Sequence, residues 1–290
     1  MFGGDIMSKI IINPSSLDDI DKTIDIIDGF IIGIKDLCVN TNLTIDDLSI
    51  LKKYNNKDIF VSLNKNIHEV ELDKVKNILI ELNNYNIKGV LFYDIGLLNI
   101  YNSLNVNYDL VWSQEHLVTN YNTINYWNSF GSNYAYLSSD ITEEEIIEIT
   151  KYSKSKLLVN LFGYLPMFVS KRHIVKNYLE YFNLSDNSKI NYIEKENNIY
   201  PIIDNNVGTQ TFSSNILNGI KSYLNINVDY IVLNSFNIEF NKFIDVIKMF
   251  KNVNESNVEE YYNKINSMFK NVDDGFLNTK TIYKVKKNDK

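Results

Sequence analysis

Arg172 is the sole arginine among 290 residues, in a chain whose other basic side chains are lysines and three histidines. A guanidinium is a planar fork of donors that grips a carboxylate or phosphate through two bonds, which an ammonium cannot do. Arg172 is therefore either a ligand for an anion or a structural cap, and Lys171 and His173 beside it would share the first role. Asp94 and Glu115 are the strong acid/base candidates, because each falls where an extended apolar run gives way to a loop. Asn64 and Gln114 stand at comparable positions and would orient a ligand without transferring protons. Asn13, Ser139, Asn160 and Asn234 extend the same set.

Other chemistries find less support. His116 follows Glu115 directly, and in an extended segment adjacent side chains point to opposite sides, so the two are not expected to form a dyad. His68, His116 and His173 lack metal-ligand spacing, and no HExxH, GxSxG or Walker A pattern occurs, so no metal site is expected. Ser170-Lys171 reads as a loop cap, and Gly208-Thr209-Gln210 as a turn with no phosphate loop. Cys38 is the only cysteine, which rules out a disulfide framework, a thiolate zinc site and a cysteine-ligated iron–sulfur cluster within this chain. A cytoplasmic address is the expectation.

The elements that must position these residues alternate between short β-branched or aromatic runs and longer amphipathic segments, the signature of βα units. Eight strands are expected at Lys9–Asn13, Phe30–Ile34, Ile59–Asn64, Gly89–Asp94, Asp109–Ser113, Tyr134–Ser138, Leu157–Leu161 and Tyr230–Asn234. Helices are expected at Leu17–Ile27, Thr44–Tyr54, Glu69–Tyr85, Thr123–Phe130, Glu143–Tyr152, Ser214–Leu224 and Asn241–Phe250. Thr142 and Glu145 form a candidate capping box, and Asp18, Asp19 and Asp21 read as a solvated helix face favoured by the dipole. This count implies an α/β, TIM-barrel-like (β/α)8 barrel over residues 1–250, followed by a C-terminal helix and basic tail over 251–290. Residues 183–212 break the alternation as a polar excursion, with a hairpin of Lys189–Glu194 and Ile199–Asp204 turning at Asn197-Asn198. Pro201 marks its second arm as an edge strand.

A formal charge of −7 and a pI near 5.1 argue against nucleic-acid binding by the global field. The terminal cluster Lys280, Lys284, Lys286, Lys287 and Lys290 reads as a solvated tail. No basic leader precedes an apolar core, no run approaches the ~20 apolar residues of a membrane helix, and Met7 is a candidate alternative start.

Along most of its length the chain resembles the peptidase U32 (collagenase-like protease) family. The likeness runs through Val61 to Asn66, Gly89 to Gly96, Trp112 to Asn120 with Tyr126-Trp127, Leu137 to Glu145, and most specifically Gly163 to Tyr178. The ending from Asp274 to Lys286 is similar to short members from low-GC Gram-positive bacteria and mollicutes, often paired with a longer paralogue. The resemblance implies a TIM-barrel-like fold and an ambiguous function: some members are named proteases, whereas others resemble hydroxylation factors for tRNA wobble uridine, ribosomal RNA cytidine or ubiquinone precursors. Several of those bind an iron–sulfur cluster through four cysteines. Here Pro166 and His173 stand where the motif has cysteines, leaving Ser170-Lys171-Arg172 as the anion-binding part.

The expectation drawn from this resemblance is a subunit supporting 5-hydroxylation of tRNA wobble uridine beside a longer U32 paralogue, with tRNA reached through the complex. Lys171 and Arg172 would hold a prephenate-like carboxylate or an RNA phosphate, and Asn64, Asp94, Gln114, Glu115 and Asn120 would line the barrel mouth. Two other readings stay open: a peptidase, and a noncatalytic barrel that stabilises or regulates a partner.

Overall fold

In runs such as Lys9–Asn13 and Tyr230–Asn234, successive side chains alternate between two sides, and both sides are apolar at mid-strand. A strand of that kind must be covered on both faces, which a parallel barrel inside a layer of helices provides. The computed structural model describes residues 8–186 and 188–279. Met7 and the lysine cluster at 280–290 lie outside the described residues.

The strands are β1 (Lys9–Asn13), β2 (Gly29–Ile34), β3 (Thr44–Ile45), β4 (Asp58–Leu63), β5 (Gly89–Phe92), β6 (Asp109–Ser113), β7 (Tyr134–Tyr136), β8 (Lys156–Ser170), β9 (Asn191–Lys195), β10 (Asn198–Asn205), β11 (Gly208–Asn218), β12 (Tyr230–Asn234) and β13 (Val272–Asp273). Eight of them close in the order β12-β1-β2-β4-β5-β6-β7-β8, all parallel, with β8 returning to β12. Their register is that of a (β/α)8 barrel. The trios Ile11–Gly29–Asp58, Phe60–Gly89–Asp109, Val111–Tyr134–Lys156 and Leu158–Tyr230–Lys9 are each level, and each step to the next advances two residues along a shared strand. One circuit therefore shifts the register by eight residues, which is the shear of this fold.

Alternation sorts the core into two clusters. Ile11, Ile31, Leu91, Val111, Leu158 and Val232 fill the barrel axis, while their sequence neighbours, such as Ile12, Ile32 and Val61, pack outward against Val75, Leu79, Phe243 and Val246. At the N-terminal end of the strands Phe60 meets Tyr134 and Tyr230 edge to face at 5.8 and 5.1 Å. Such contacts add about 0.5–1.5 kcal/mol each beyond area burial. Asp58 closes this floor, accepting from Lys9 Nζ at 2.6 Å and Tyr230 OH at 2.8 Å. With one end plugged, ligand access falls to the other.

All eight expected strands are barrel strands, but the connections differ in several places. Leu48–Tyr54 is a 3-10 helix preceded by the short β3, and the expected helix Ser214–Leu224 is instead the end of β11 followed by the single turn Ile220–Tyr223. A helix at Ile95–Asn102, absent from the expected set, follows β5 after Tyr93 and its N-cap Asp94. The Thr142–Glu145 capping box is present, with Glu145 Oε2 accepting from Thr142 N at 2.7 Å. Asp19 is buried, not solvated: it closes a second capping box with Ser16.

The excursion is larger than the hairpin. β8 runs past the barrel to Ser170 and pairs antiparallel with β11, which continues through β10 to β9. Gly163 is where β8 departs: its φ is +109°, and a Cβ there would stand 2.4 Å from the Asn234 carbonyl oxygen, so only glycine fits. The β9–β10 turn is centred on Glu196-Asn197, both at positive φ, one residue before the expected position. β10 lies between β9 and β11 and is not an edge, although Pro201 stands one residue beyond Ile202, where pairing with β11 ends. The helix Val258–Met268 buries Ile265, and β13 pairs with β11, so the C-terminal segment is packed on the barrel.

Candidate functional site

The residues that alternation directs inward change from apolar at mid-strand to polar at the C-terminal ends. Asn13 follows Ile11 by two positions, Asn234 follows Val232, Asn160 follows Leu158 and Ser113 follows Val111, and all four are buried. They surround a cavity of about 60 Å³ floored by Ile31 and Leu91. Of the eight polar residues expected at strand ends, seven line it: Asn13, Asn64, Gln114, Glu115, Ser139, Asn160 and Asn234.

Carboxamides fix the loop that follows β2. Asn13 Nδ2 donates to Asn40 O at 3.0 Å, Asn42 Nδ2 donates to Asn234 Oδ1 at 2.8 Å, and Asn64 Oδ1 accepts from Val39 N at 3.0 Å and Ser62 Oγ at 2.8 Å. Asn40 N donates to Gln210 Oε1 at 2.8 Å, joining this loop to β11. Asn40 Nδ2 donates to Glu115 Oε1. Burial raises the Glu115 carboxyl above its ordinary value, with the Asn40 bond opposing the shift. Burial, and then the charge of Glu115, push the Tyr136 phenol far above its usual range. Glu115 is thus a buried carboxyl that takes up a proton more readily than a free one, beside a phenol that gives up its own less readily.

A second, outer cleft of about 470 Å³ shares Asn40, Asn64, Glu115, His116 and Pro166 with the first cavity, so the two are continuous. One wall comes from the excursion, through Met167, Phe168, Val169, Lys171, Asn206 and Val207. Its basic residues are Lys65, His68 and Lys171. Lys65 is occupied by Glu71 at 2.7 Å and by the Asp36 carbonyl at 2.5 Å. Lys171 Nζ donates to His68 Nε2 at 2.5 Å and has no carboxylate partner among the described residues, leaving it open to an anion.

At the junction, His116 Nδ1 lies 2.7 Å from Asp140 Oδ2, and its Nε2 lies 3.3 Å from the Met167 carbonyl. The Asp140 hydrogen bond raises the imidazole above its ordinary value. His116 and Glu115 are adjacent without bonding each other, and both border the shared space.

Several expected residues are placed elsewhere. Asp94 lines neither cavity: its Oδ1 caps the helix Ile95–Asn102 through Gly96 N at 2.7 Å, and its Oδ2 accepts from Ile67 N at 3.1 Å. Asn120 likewise caps Tyr121–Ser129 through Thr123 N at 3.0 Å. His173 is held by Asp204 at 2.7 Å at the start of the helix Ile174–Tyr181. Arg172 sits on the exposed turn after β8, where its carbonyl accepts from Thr209 Oγ1 at 2.7 Å, and its guanidinium makes no bond to the described residues. Ser170 Oγ accepts from Arg172 N at 3.2 Å, a loop cap.

Asn40, Gln210, Tyr136 and the His116–Asp140 pair were not read as site residues from the sequence. Asn40 belongs to a loop with no periodicity, and Gln210 lies 170 residues away on a strand of the excursion. The one available signal was the polar position two residues beyond each inward apolar one, which points to Tyr136 after Tyr134.

The model of Peptidase family U32 matches residues 33–285. The tRNA hydroxylation protein P2 of Bacillus subtilis (strain 168) is 23% identical, with 78% of this chain and 81% of that protein covered. Among solved structures, the U32 peptidase Mk0906 covers 81% of this chain and 94% of its own at 11% identity and a TM-score of 0.49. A mutant tryptophan synthase α-subunit of Pyrococcus furiosus covers 89% and 96% at 10% identity and a TM-score of 0.41.

Proposed function

Since this chain belongs to peptidase family U32, we propose that it works in tRNA hydroxylation, as a subunit supporting 5-hydroxylation of the wobble uridine beside a longer paralogue. The observation that carries the reading is the likeness, over most of both chains, to a protein named for tRNA hydroxylation. The mouth of the barrel supports it. A polar cavity continues into a cleft that holds a lysine without a carboxylate partner, an arrangement that accepts a polar group attached to an anion. A local basic feature of this kind operates despite the acidic total.

The reading assigns no four-cysteine cluster to this chain. Cys38 is its only cysteine, and burial pushes that thiol up to about 12, while Pro166 borders both cavities with no ligating atom. Redox chemistry is then the contribution of the partner. The excursion presents Phe168, Tyr178, Tyr181, Phe182 and Tyr192 to solvent, an apolar surface suited to such a protein. No helix among the described residues is long and apolar enough to cross a membrane.

A peptidase would need a nucleophile oriented by a base. Ser113 and Ser139 border the cavity, but His116 is engaged with Asp140 and the Met167 carbonyl and not with either hydroxyl. The deciding experiment is mass spectrometry of bulk tRNA nucleosides from cells with and without the gene. Loss of 5-hydroxyuridine derivatives, restored by the gene, is expected. Unchanged levels in cells that have no compensating paralogue would overturn the reading.

A further inference from the structure

The excursion ends in a strand whose outer side is unpaired. β9 closes the sheet order, and no strand lies beyond it among the described residues. The two-residue turn Glu196-Asn197 has positive φ at both positions, so Lys195 and Asn198 are a hydrogen-bonded pair. Bonded and non-bonded pairs alternate along an antiparallel ladder, which makes Ile193–Tyr200 and Asn191–Ile202 bonded as well. Tyr192 and Glu194 therefore turn their N–H and C=O groups away from β10, toward solvent. The next hairpin fixes the same parity independently. Its turn, Asn206-Val207, makes Asn205–Gly208 a bonded pair, so Asn205, Ile203 and Pro201 face β11; proline has no N–H, and pairing with β11 stops at Ile202.

The bare edge is complementary to itself. β9 carries no proline and its register with β10 has no bulge, so two of the devices that guard an exposed edge are missing. About a twofold axis at Ile193, Tyr192 of each copy opposes Glu194 of the other as a bonded pair, and every outward main-chain group of these two residues finds a partner. One face of the joined sheet then carries the row Tyr200–Ile193–Ile193–Tyr200, continuous across the axis and covering an isoleucine that is 44% exposed in the single chain. In the flanking rows Glu194 meets Tyr192 and Lys195 meets Asn191, so no like charges stand directly opposite. Moving the axis to Glu194 would oppose two carboxylates, and moving it to Tyr192 would set Glu194 against Ile190, outside β9.

We propose that this chain pairs with a second copy of itself through β9, antiparallel about a twofold axis at Ile193, so that the two excursion sheets become one. The pairing goes beyond the tRNA reading and does not depend on it.

The test is sedimentation velocity of the full chain over a concentration series, joined to cysteine cross-linking. A species of twice the 33.8 kDa chain mass is expected, its share growing with concentration. Glu194→Pro deletes an outward N–H at a place where an edge strand tolerates proline; it should raise the dimer dissociation constant about tenfold or more and leave the unfolding temperature unchanged. Ile193→Cys should give a covalent dimer under mild oxidation, because a non-bonded pair at the axis holds its Cα atoms about 4.5 Å apart, within disulfide reach. Lys195→Cys should not, since its two copies would stand about 13 Å apart along the strands. Cys38 is buried and adds no competing thiol. Should Glu194→Pro fail to fold, the cysteine variants decide, because they leave the main chain unaltered. A chain that stays monomeric at high micromolar concentration, a dimer unaffected by Glu194→Pro, or cross-linking at Lys195→Cys as efficient as at Ile193→Cys would overturn the proposal. Capture of a different protein by β9 of a monomeric chain would do the same.

Discussion

Replacing Asn40 by glycine is expected to cost stability that grows with pH, because Asn40 supports a buried carboxyl whose charge state changes. Asn40 sits at φ +57°, where glycine is unstrained, so Asn40→Gly removes the side chain without adding backbone strain. What is lost is the Nδ2 bond to Glu115 Oε1. The Asn40 Oδ1 atom is buried without a partner, so its removal is a small gain that applies equally at every pH. Burial raises the folded-state Glu115 carboxyl above 4.5, so the folded protein binds this proton more tightly than the unfolded chain. The stability linked to that proton is present below about pH 4.5 and is lost as pH rises through the folded value. Asn40 limits the loss by favouring the carboxylate; without it the folded value rises further and the loss extends to higher pH. A hydrogen bond to a neutral partner contributes about 1 kcal/mol and one to a charged partner about 1.5–3 kcal/mol. Urea unfolding of wild type and variant at about pH 4 and pH 8 should therefore show the cost of Asn40→Gly larger at pH 8 by roughly 0.5–2 kcal/mol. Glu115→Gln, which cannot ionise, should abolish that difference in a double-mutant cycle and should itself stabilise the protein at pH 8. An Asn40→Gly cost independent of pH, or a pH dependence that survives Glu115→Gln, would refute this account of the site.

Two further outcomes follow from side chains at the rim. Asp140→Asn removes the leading cause of the raised His116 value, so the imidazole should titrate closer to 6.5. The raised value contributes stability below 6.5 that disappears as pH rises through the folded value, so the variant should lose stability only at the acidic side of that window, with histidine ring-proton NMR reporting the shift directly. Arg172→Lys should leave the unfolding temperature unchanged, because the guanidinium bonds nothing among the described residues, while lowering tRNA hydroxylation in complemented cells if the fork binds an anion; a drop in thermal stability would mark a structural arginine.

The strands were legible because each is a short β-branched or aromatic run between breakers, as in Phe60-Val61 and Ile231-Val232-Leu233. The Thr142–Glu145 cap was legible because its spacing is local. Ile95–Asn102 was hidden because it is short and only Asn99 and Asn102 mark a polar face, too few positions to set a period. Ser214–Leu224 was misread for the same reason in reverse: Ile216, Leu217 and Ile220 fit a helical spacing, but pairing with Tyr164 and Gly163 of β8 holds the first two in a strand. Asp94 and Asn120 carried the right residue types at loop starts, yet their oxygens are consumed by helix N-termini, and nothing in a side chain's identity separates a cap from a ligand.

By itself, then, the amino-acid sequence determined the eight strands, the parallel barrel, and the end of it at which polar side chains gather, because two-residue alternation and the apolar-to-polar change along each strand are local properties. Tertiary structure alone decided which of those polar atoms remain free. Glu115 meets Asn40 from 75 residues away, Asn40 meets Gln210 across 170, and Lys171 meets His68 across 103. The shear of the barrel and the path of β8 beyond Gly163 set these meetings, and hydrogen-bond satisfaction is a property of partners brought together in space, which no spacing along the chain encodes.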